Sequence, residues 1–279
     1  MTGPADLAKT VTVGGRRLRV AVRPGTGGAP PLLVCNGIGT PLEALAPFTA
    51  ALDPAITVVR FDVPGAGGSP PTRLPYSVPW LARLAGRMMT ALGYGRFDVL
   101  GISWGGGLAQ QLAAQYPRLC RRLVLVATST GSLMIPARPR VLLHLSSPRR
   151  HRDPAHAARI AGTVYGGVLR RRPELAAPVT GSGPPASRRG YRYQLLASAG
   201  WTSLPWLWLI RQPTLILAGD DDPIIPLSNA RLMAALLPTA RLHVYHDGHL
   251  GLLTRAGELA RLVSDFLLIV EPTARRAVQ

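Results

Sequence analysis

Short apolar runs recur along the chain with helical stretches between them, and this alternation constrains the fold more than any other feature. The runs are Leu32 to Cys35, Thr57 to Phe61, Asp98 to Leu100, Leu123 to Val126, Thr214 to Leu217 and Leu242 to Tyr245. Each is nearly continuous in apolar residues, the pattern of a strand covered on both faces of a parallel sheet. Helices are expected from Thr40 to about Leu52, Ser103 to about Tyr116, Leu227 to Leu237 and Arg255 to Val270. Thr40-Pro41-Leu42-Glu43 reads as a helix start, with Thr as N-cap, Pro in the first turn and Glu reaching back as a capping box. Thr10 to Val22 alternate around Gly14-Gly15, which predicts a hairpin at the sheet edge. Strands alternating with helices predict an α/β fold with a mostly parallel central sheet.

The rhythm stops between about Ser132 and Ile210. That segment is rich in Arg and Pro, carries Arg149, Arg150, Arg152, Arg170, Arg171 and Arg172, and ends with Tyr191, Tyr193, Trp201, Trp206 and Trp208. At about 80 residues it exceeds any plain loop of a compact domain. It is expected to be a mainly helical lid, residues 132–210, inserted into a core formed by residues 1–131 and 211–279. The tryptophans would either line an acyl slot or hold the lid together.

Composition narrows the class. Hydrophobic residues make up 47% of 279, enough for a sizeable core and too many for a disordered chain. Lys and Arg number 32 against 14 Asp and Glu, a net charge of +18, with Lys9 the only lysine. A polyanion partner is one meaning of such a balance. The arginines are spread along the chain and no nucleic-acid motif accompanies them, so no nucleic-acid partner is expected. Two cysteines, Cys35 and Cys120, make no disulfide framework. The first ten residues lack an apolar signal core, and no run reaches the ~18 apolar residues of a membrane span. A soluble cytoplasmic protein with no transmembrane segment is expected.

The strongest chemical signal is Asp98-Val-Leu-Gly101-Ile-Ser103-Trp-Gly105-Gly106, a G-x-S-x-G run after a strand and before a helix. That context is the one a nucleophile elbow requires. Gly101 and Gly105 remove the Cβ atoms that would collide as the backbone turns sharply. A serine needs a base, and the base an orienting acid. His249 follows Gly248 in a loop between the last strand and the last helix, whereas His246 lies nearer the strand end, His243 within the strand, and His144, His151 and His156 in the lid. His249 is the expected base, with His246 the alternative. For the acid, Gly219-Asp220-Asp221-Asp222 follows a strand, and the usual Gly-x-x-Asp spacing selects Asp222 over Asp221. Three adjacent carboxylates would raise some of one another's pKa values. No acidic residue lies between Asp98 and Asp153, which closes the other common position for the acid. The oxyanion hole would use the backbone N–H groups of Trp104 and of Ile38, in Cys35-Asn36-Gly37-Ile38-Gly39. Cys35 ends a buried strand and is expected to be core. The glycines from Gly65 to Gly68 lack a dinucleotide-binding layout, and Asp62 is expected to cap a turn. No cofactor and no metal site is expected, since no His or carboxylate pair has ligand spacing.

The segments CNGIG (35–39), FDVPGAGGS (61–69), ISWGGGLAQQ (102–111), SSPRR (146–150), YGG (165–167), GWTS (200–203), AGDDDPIIP (218–226) and DGHL (247–250) resemble intracellular poly(3-hydroxyalkanoate) depolymerases acting on medium-chain polyesters, members of the α/β-hydrolase superfamily. The similarity covers roughly residues 31 to 255, lid included; Pro173 to Arg189 matches nothing specific. It implies an α/β-hydrolase fold, a serine hydrolase acting on storage polyester, association with the polyester granule, and Ser103, Asp222 and His249 as the catalytic residues. The lid arginines would then face an anionic granule surface. The competing expectation is a carboxylesterase or lipase acting on small soluble esters. A haloperoxidase-like side activity would use the same triad, a dehalogenase would want Asp in place of Ser103, and a non-catalytic granule protein would have no use for it.

Overall fold

The computed structural model describes residues 8–146, 153–176, 184 and 186–269. The expected lid residues Arg149, Arg150, His151 and Arg152 lie outside these, as does most of the SSPRR segment. Eight strands form one sheet: β1 (Lys9–Val13), β2 (Arg16–Arg23), β3 (Leu32–Cys35), β4 (Val58–Phe61), β5 (Phe97–Ile102), β6 (Cys120–Val126), β7 (Thr214–Gly219) and β8 (Ala240–Tyr245). Their order is β1-β2-β4-β3-β5-β6-β7-β8. From β4 to β8 all neighbours are parallel; the β1–β2 hairpin joins antiparallel at one edge, closed by Gly14 and Gly15 at φ 54° and 74°. Two adjacent residues at positive φ make the turn whose twist suits a two-residue hairpin.

The helices are α1 (Ala46–Ala51), α2 (Val78–Ala91), α3 (Trp104–Gln115), α4 (Pro139–Ser146), α5 (Pro154–Tyr165), α6 (Arg188–Ala199), α7 (Leu227–Leu236), α8 (Gly251–Thr254) and α9 (Ala256–Leu268). They cover both faces of the sheet. On one face α2 and α3 bury Leu81, Met88, Leu108 and Leu112 against Leu33, Val99 and Leu125. On the other, Phe48 of α1 and Leu259, Val263 and Leu267 of α9 pack on Leu32, Leu100 and Val124. Successive strand residues thus feed opposite cores, which is why the central strands read as unbroken apolar runs. β8 departs from that pattern: it is the edge strand, and Val244 is 39% exposed.

One local expectation fails, and one helix goes unpredicted. The capping box at Thr40 does not form: the helical turn is a 3-10 segment at Leu42–Leu45, preceded by Pro41. The Thr40 hydroxyl donates to Gly37 O, the Leu42 N–H donates to Asp62 Oδ1 at 2.7 Å, and Glu43 pairs with Arg19. Tertiary partners outcompete the local cap. Helix α2 was absent from the expected elements, although Ser77 caps it by accepting the Trp80 N–H and Pro79 stands in its first turn.

Between β6 and β7 the chain leaves the sheet. Gly131 and Thr202 pair antiparallel where it departs and returns, and Ser132 N–H donates to Trp201 O at 2.9 Å. The described part of this excursion is helical, with α4, α5, α6 and short 3-10 turns.

Several arginines have structural work. Arg23 donates to the carbonyls of Thr49, Leu52, Asp53 and Ile56, closing the C-terminal end of α1. Arg122 donates to Leu267 O and Ile269 O at the end of α9. Cations at helix C-termini satisfy orphan carbonyls and meet the negative end of the dipole. Arg121 makes a two-point contact with fully buried Asp98, at 2.8 and 2.6 Å. Burial nevertheless leaves the Asp98 carboxyl with a pKa above its ordinary value. Arg121→Met would strand that carboxylate in the core. We expect a loss of about 3–5 kcal/mol in denaturant unfolding, and an unchanged midpoint would refute the role given to this pair.

Candidate active site

The sheet order places a crevice at its carboxyl edge. From β3 the chain crosses to β4 on one side, while from β5 onward it moves to the other side. Ligands of open α/β sheets bind at such a switch point, between the loops that diverge there. Those loops are 36–41, after β3, and the turn at Ser103, after β5.

Ser103 has φ 53° and ψ −121°. A non-glycine residue held there costs about 1–3 kcal/mol, maintained by its surroundings. The surroundings are visible. A Cβ on Gly101 would strike Ala109 and the Gly105–Gly106 backbone, one on Gly105 would strike the carbonyls of Cys35 and Asn36, and one on Gly106 would strike Thr128. Thr128 Oγ1 donates to Ser103 O at 2.7 Å, and the Ser103 N–H donates to Val126 O at 2.9 Å. The turn is clamped on three sides.

The structure brings three of the expected residues together. His249 Nε2 lies 3.0 Å from Ser103 Oγ, and His249 Nδ1 lies 2.7 Å from Asp222 Oδ2. Asp222 Oδ1 accepts the N–H groups of Ile224 and Ile225, both at 2.9 Å, which fixes the carboxylate plane. A proton on Nδ1 facing the carboxylate leaves Nε2 as the acceptor for the serine hydroxyl. Asp222 and His249 are 6% exposed each, so water competes little for these bonds.

The alternatives have other partners. His246, with its side chain 90% exposed, pairs with Asp220 at 2.5 Å. Asp221 pairs with Arg170 at 2.6 and 2.7 Å and accepts the Gly167 N–H. The adjacent carboxylates were expected to raise one another's pKa values. For Asp221 the reverse holds: the hydrogen bond from Arg170 keeps it below the ordinary carboxylate range. Each carboxylate of the run turns to a different cation or imidazole. Cys35 is buried, and burial pushes its thiol well above the ordinary value, so it is a core residue.

The Ile38 and Trp104 N–H groups have no hydrogen-bond acceptor among the described residues. Gly37 lies beside the serine: a Cβ there would stand 3.8 Å from Ser103 Cβ, in ordinary contact. Both amides therefore belong to segments that meet at the serine. Among the described residues, no group of three or more His, Cys, Asp or Glu side chains could hold a metal ion.

Other residues around the site were not singled out by the sequence. The His249 N–H donates to Tyr165 O at 2.8 Å, so α5 reaches the base loop. Buried Asp247 accepts from Val168 N–H at 2.9 Å and from Thr254 Oγ1 at 2.6 Å, holding that loop to the excursion and to α8. The glycines of Tyr165-Gly166-Gly167 were the one available signal: a Cβ on Gly166 or Gly167 would strike Asp221 or Asp247. Asp62, expected to cap a turn, bridges Leu42 N–H and Gly68 N–H. Trp201 and Trp206 stack edge to face at 5.9 Å over α3, and the Trp201 ring packs on Gly107. Trp208 is 54% exposed.

Comparison with known proteins agrees with this architecture. A family model described as the alpha/beta hydrolase fold matches residues 30–256. The chain is 51% identical over 259 residues to the poly(3-hydroxyalkanoate) depolymerase of Ectopseudomonas oleovorans, covering 93% of this chain and 92% of that one. It is 31% identical over 197 residues to a 2-hydroxymuconate semialdehyde hydrolase of Pseudomonas putida, covering 67% and 68% of the two chains. Among solved structures, the enol-lactonase from Burkholderia xenovorans LB400 superposes with a TM-score of 0.78 at 25% identity, covering 93% of this chain and 99% of that one. With a strand order and an elbow of this kind, and a family match over most of its length, the chain belongs to the α/β-hydrolase fold family.

Proposed function

We propose that this protein is a serine ester hydrolase that depolymerises intracellular poly(3-hydroxyalkanoate). The observation that carries the substrate is the 51% identity to a depolymerase of that polyester over nearly the whole of both chains. The Ser103–His249–Asp222 hydrogen bonds support the chemistry. Ser103 Oγ attacks an ester carbonyl carbon while His249 Nε2 takes its proton. The N–H groups of Ile38 and Trp104 hold the resulting oxyanion. The C–O bond breaks, the leaving alkoxide takes the proton from His249, and an acyl-Ser103 ester remains. Water, deprotonated by the same imidazole, then attacks the acyl group, and Ser103 leaves reprotonated. Asp222 orients the ring and offsets its positive charge throughout.

Residues 132–210 are proposed as the lid over this site, with residues 1–131 and 211–279 as the core. Leu133, Ile135, Leu142, Leu143, Leu195 and Leu196 are exposed on its described part. Exposed apolar side chains in such number suit contact with a water-insoluble substrate. Association with the polyester granule in the cytoplasm is part of this proposal. Among the described residues no helix is long and apolar enough to cross a membrane.

Three outcomes follow. Wild-type protein should release hydroxy acids from amorphous medium-chain polyester granules and octanoate from p-nitrophenyl octanoate, and Ser103→Ala should lose both. Hydrolysis of the soluble ester alone would make the protein a carboxylesterase for small substrates. Asp222→Asn should keep its fold yet lower kcat by about 10⁴-fold, the scale expected when the imidazole loses its orienting carboxylate. Stopped assays of p-nitrophenol release against a melting curve measure this; a loss below tenfold would remove Asp222 from the triad. The Arg170–Asp221 pair seats the lid on the acid loop, and both side chains are over 40% exposed, so solvent limits its worth to under about 1 kcal/mol. Because Asp221 is depressed in the folded state, that stabilisation is present above the ordinary Asp range and fades as pH falls through the depressed value. Arg170→Ala should therefore melt slightly below wild type at pH 7, with the gap narrowing as pH falls below the ordinary Asp value of about 4; a gap that stays the same as pH is lowered would contradict the role.

A further inference from the structure

Gln194 lies on α6, within the excursion from the sheet, yet it is fully buried and bonds to both segments that flank the oxyanion site. Its side-chain Oε1 accepts the Gly39 N–H at 2.7 Å. Its main-chain carbonyl accepts the Trp104 indole N–H at 3.1 Å, along with the Ser198 hydroxyl at 2.9 Å. Gly39 directly follows Ile38, and Trp104 directly follows Ser103. One residue thus ties down the two segments whose backbone N–H groups would meet the oxyanion.

We infer that Gln194 is a positioning residue for ester hydrolysis: it sets the separation of the Ile38 and Trp104 amides, and thereby completes the oxyanion hole from the lid. The inference rests on the triad and oxyanion assignments above. Three observations point the same way. Gly39 has φ 70°, and a Cβ on it would come within 2.9 Å of the Tyr191 ring, so α6 packs directly on the loop. The internal bonds of the loop leave the Gly39 N–H out: the Thr40 hydroxyl and N–H both donate to Gly37 O, at 2.8 and 3.3 Å, and Asn36 Nδ2 donates to Pro41 O at 2.7 Å. Finally, Gln194 Nε2 is buried with no hydrogen-bond partner among the described residues. An unpaired interior donor is destabilising. An apolar side chain would fill the same space without that penalty, so the acceptor oxygen facing Gly39 is the part of the side chain with a task. Preorganised donors act only when aimed at the oxyanion position, and small displacements weaken them.

The helix carrying Gln194 is itself anchored away from the serine. Gly190 packs backbone to backbone on Gly65, Ser187 N–H donates to Gly65 O at 2.9 Å, and Tyr193 OH donates to Arg73 O at 3.1 Å. Displacement of α6 would therefore loosen the oxyanion loop and the Trp104 side chain together, while leaving the Ser103–His249–Asp222 bonds intact.

The test compares wild type with Gln194→Met and Gln194→Glu on p-nitrophenyl octanoate. Met keeps the length and removes the acceptor; Glu keeps an oxygen toward Gly39, and burial favours its neutral acid form. Gln194→Met should lower kcat about 10- to 100-fold, less than outright loss of an oxyanion donor, with KM changed by less than about threefold. Its affinity for an octyl trifluoromethyl ketone, which forms a tetrahedral oxyanion on the serine, should fall in parallel. Gln194→Glu should recover most of both. The inference is overturned if Met leaves kcat unchanged, if ketone affinity holds while kcat falls, or if Glu is as impaired as Met. Should Gln194→Met fail to show a cooperative melt, Trp104→Phe cuts the second tie while keeping the backbone N–H; it should give the same paired fall in kcat and ketone affinity, and parity with wild type would overturn the inference. Failure of the underlying assignment is separate, because there Ser103→Ala would still hydrolyse the ester.

Discussion

The backbone turn at Ser103 is the constraint on which the rest of the structure depends. Holding a side chain at φ 53° and ψ −121° exposes the hydroxyl above the carboxyl edge of the sheet, and it is possible only where the flanking atoms leave room. Gly101, Gly105 and Gly106 provide that room against Ala109, the end of β3 and Thr128 respectively. Their absence of side chains brings α3 into close contact with β3 and with the segment after β6. The same closeness puts Gly37 next to Ser103, so the loop after β3 and Ser103 are neighbours because the helix packs tightly on the sheet.

The excursion between β6 and β7 is tied to the loops at the carboxyl edge of the sheet. It meets each part of the site by a different contact: Tyr165 O takes the His249 N–H, Gly167 N–H and Arg170 hold Asp221, Val168 N–H holds Asp247, and Gln194 holds Gly39 and the Trp104 indole. These are hydrogen bonds with defined geometry, unlike the contacts open to its exposed leucines. An element built this way fixes the loops around Ser103 by hydrogen bonds and also carries exposed apolar side chains. The Gly166–Gly167 pair and Gly248 make this contact possible, since any Cβ there would hold the excursion away from the loops that carry Asp221 and Asp247.

Part of the arginine content has a structural use. Arg23 and Arg122 close helix ends, Arg121 neutralises Asp98, Arg19 joins Glu43 and Asp62, and Arg170 joins Asp221. Guanidinium groups suit these tasks because their planar forks satisfy two or more oxygens at once. A count of basic residues alone would have overstated how much positive charge is free for a partner.

Much of the fold was legible in the sequence because it depends on short-range physics. Period and run length report strands buried on both faces, the adjacent glycines at 14 and 15 report a hairpin, and G-x-S-x-G between a strand and a helix reports a strained turn. Those features need only local sterics and a hydrophobic interior. Where a residue has several possible partners, local rules fail. Thr40 and Glu43 had the composition of a capping box, but Asp62, 20 residues from Leu42, took the Leu42 amide, and Arg19 took the Glu43 carboxylate. Asp220, Asp221 and Asp222 are chemically alike, and only the positions of His246, Arg170 and His249 around them give each its own partner. Gln194 meets Gly39 across 155 residues and left no mark in the local pattern. The sequence by itself determined the layering, the elbow and the order of the chemical groups, because each is written in neighbouring residues. The tertiary structure decided which of several equivalent groups meet, because hydrogen bonds and ion pairs depend on distance in space, which loops of unspecified path leave open.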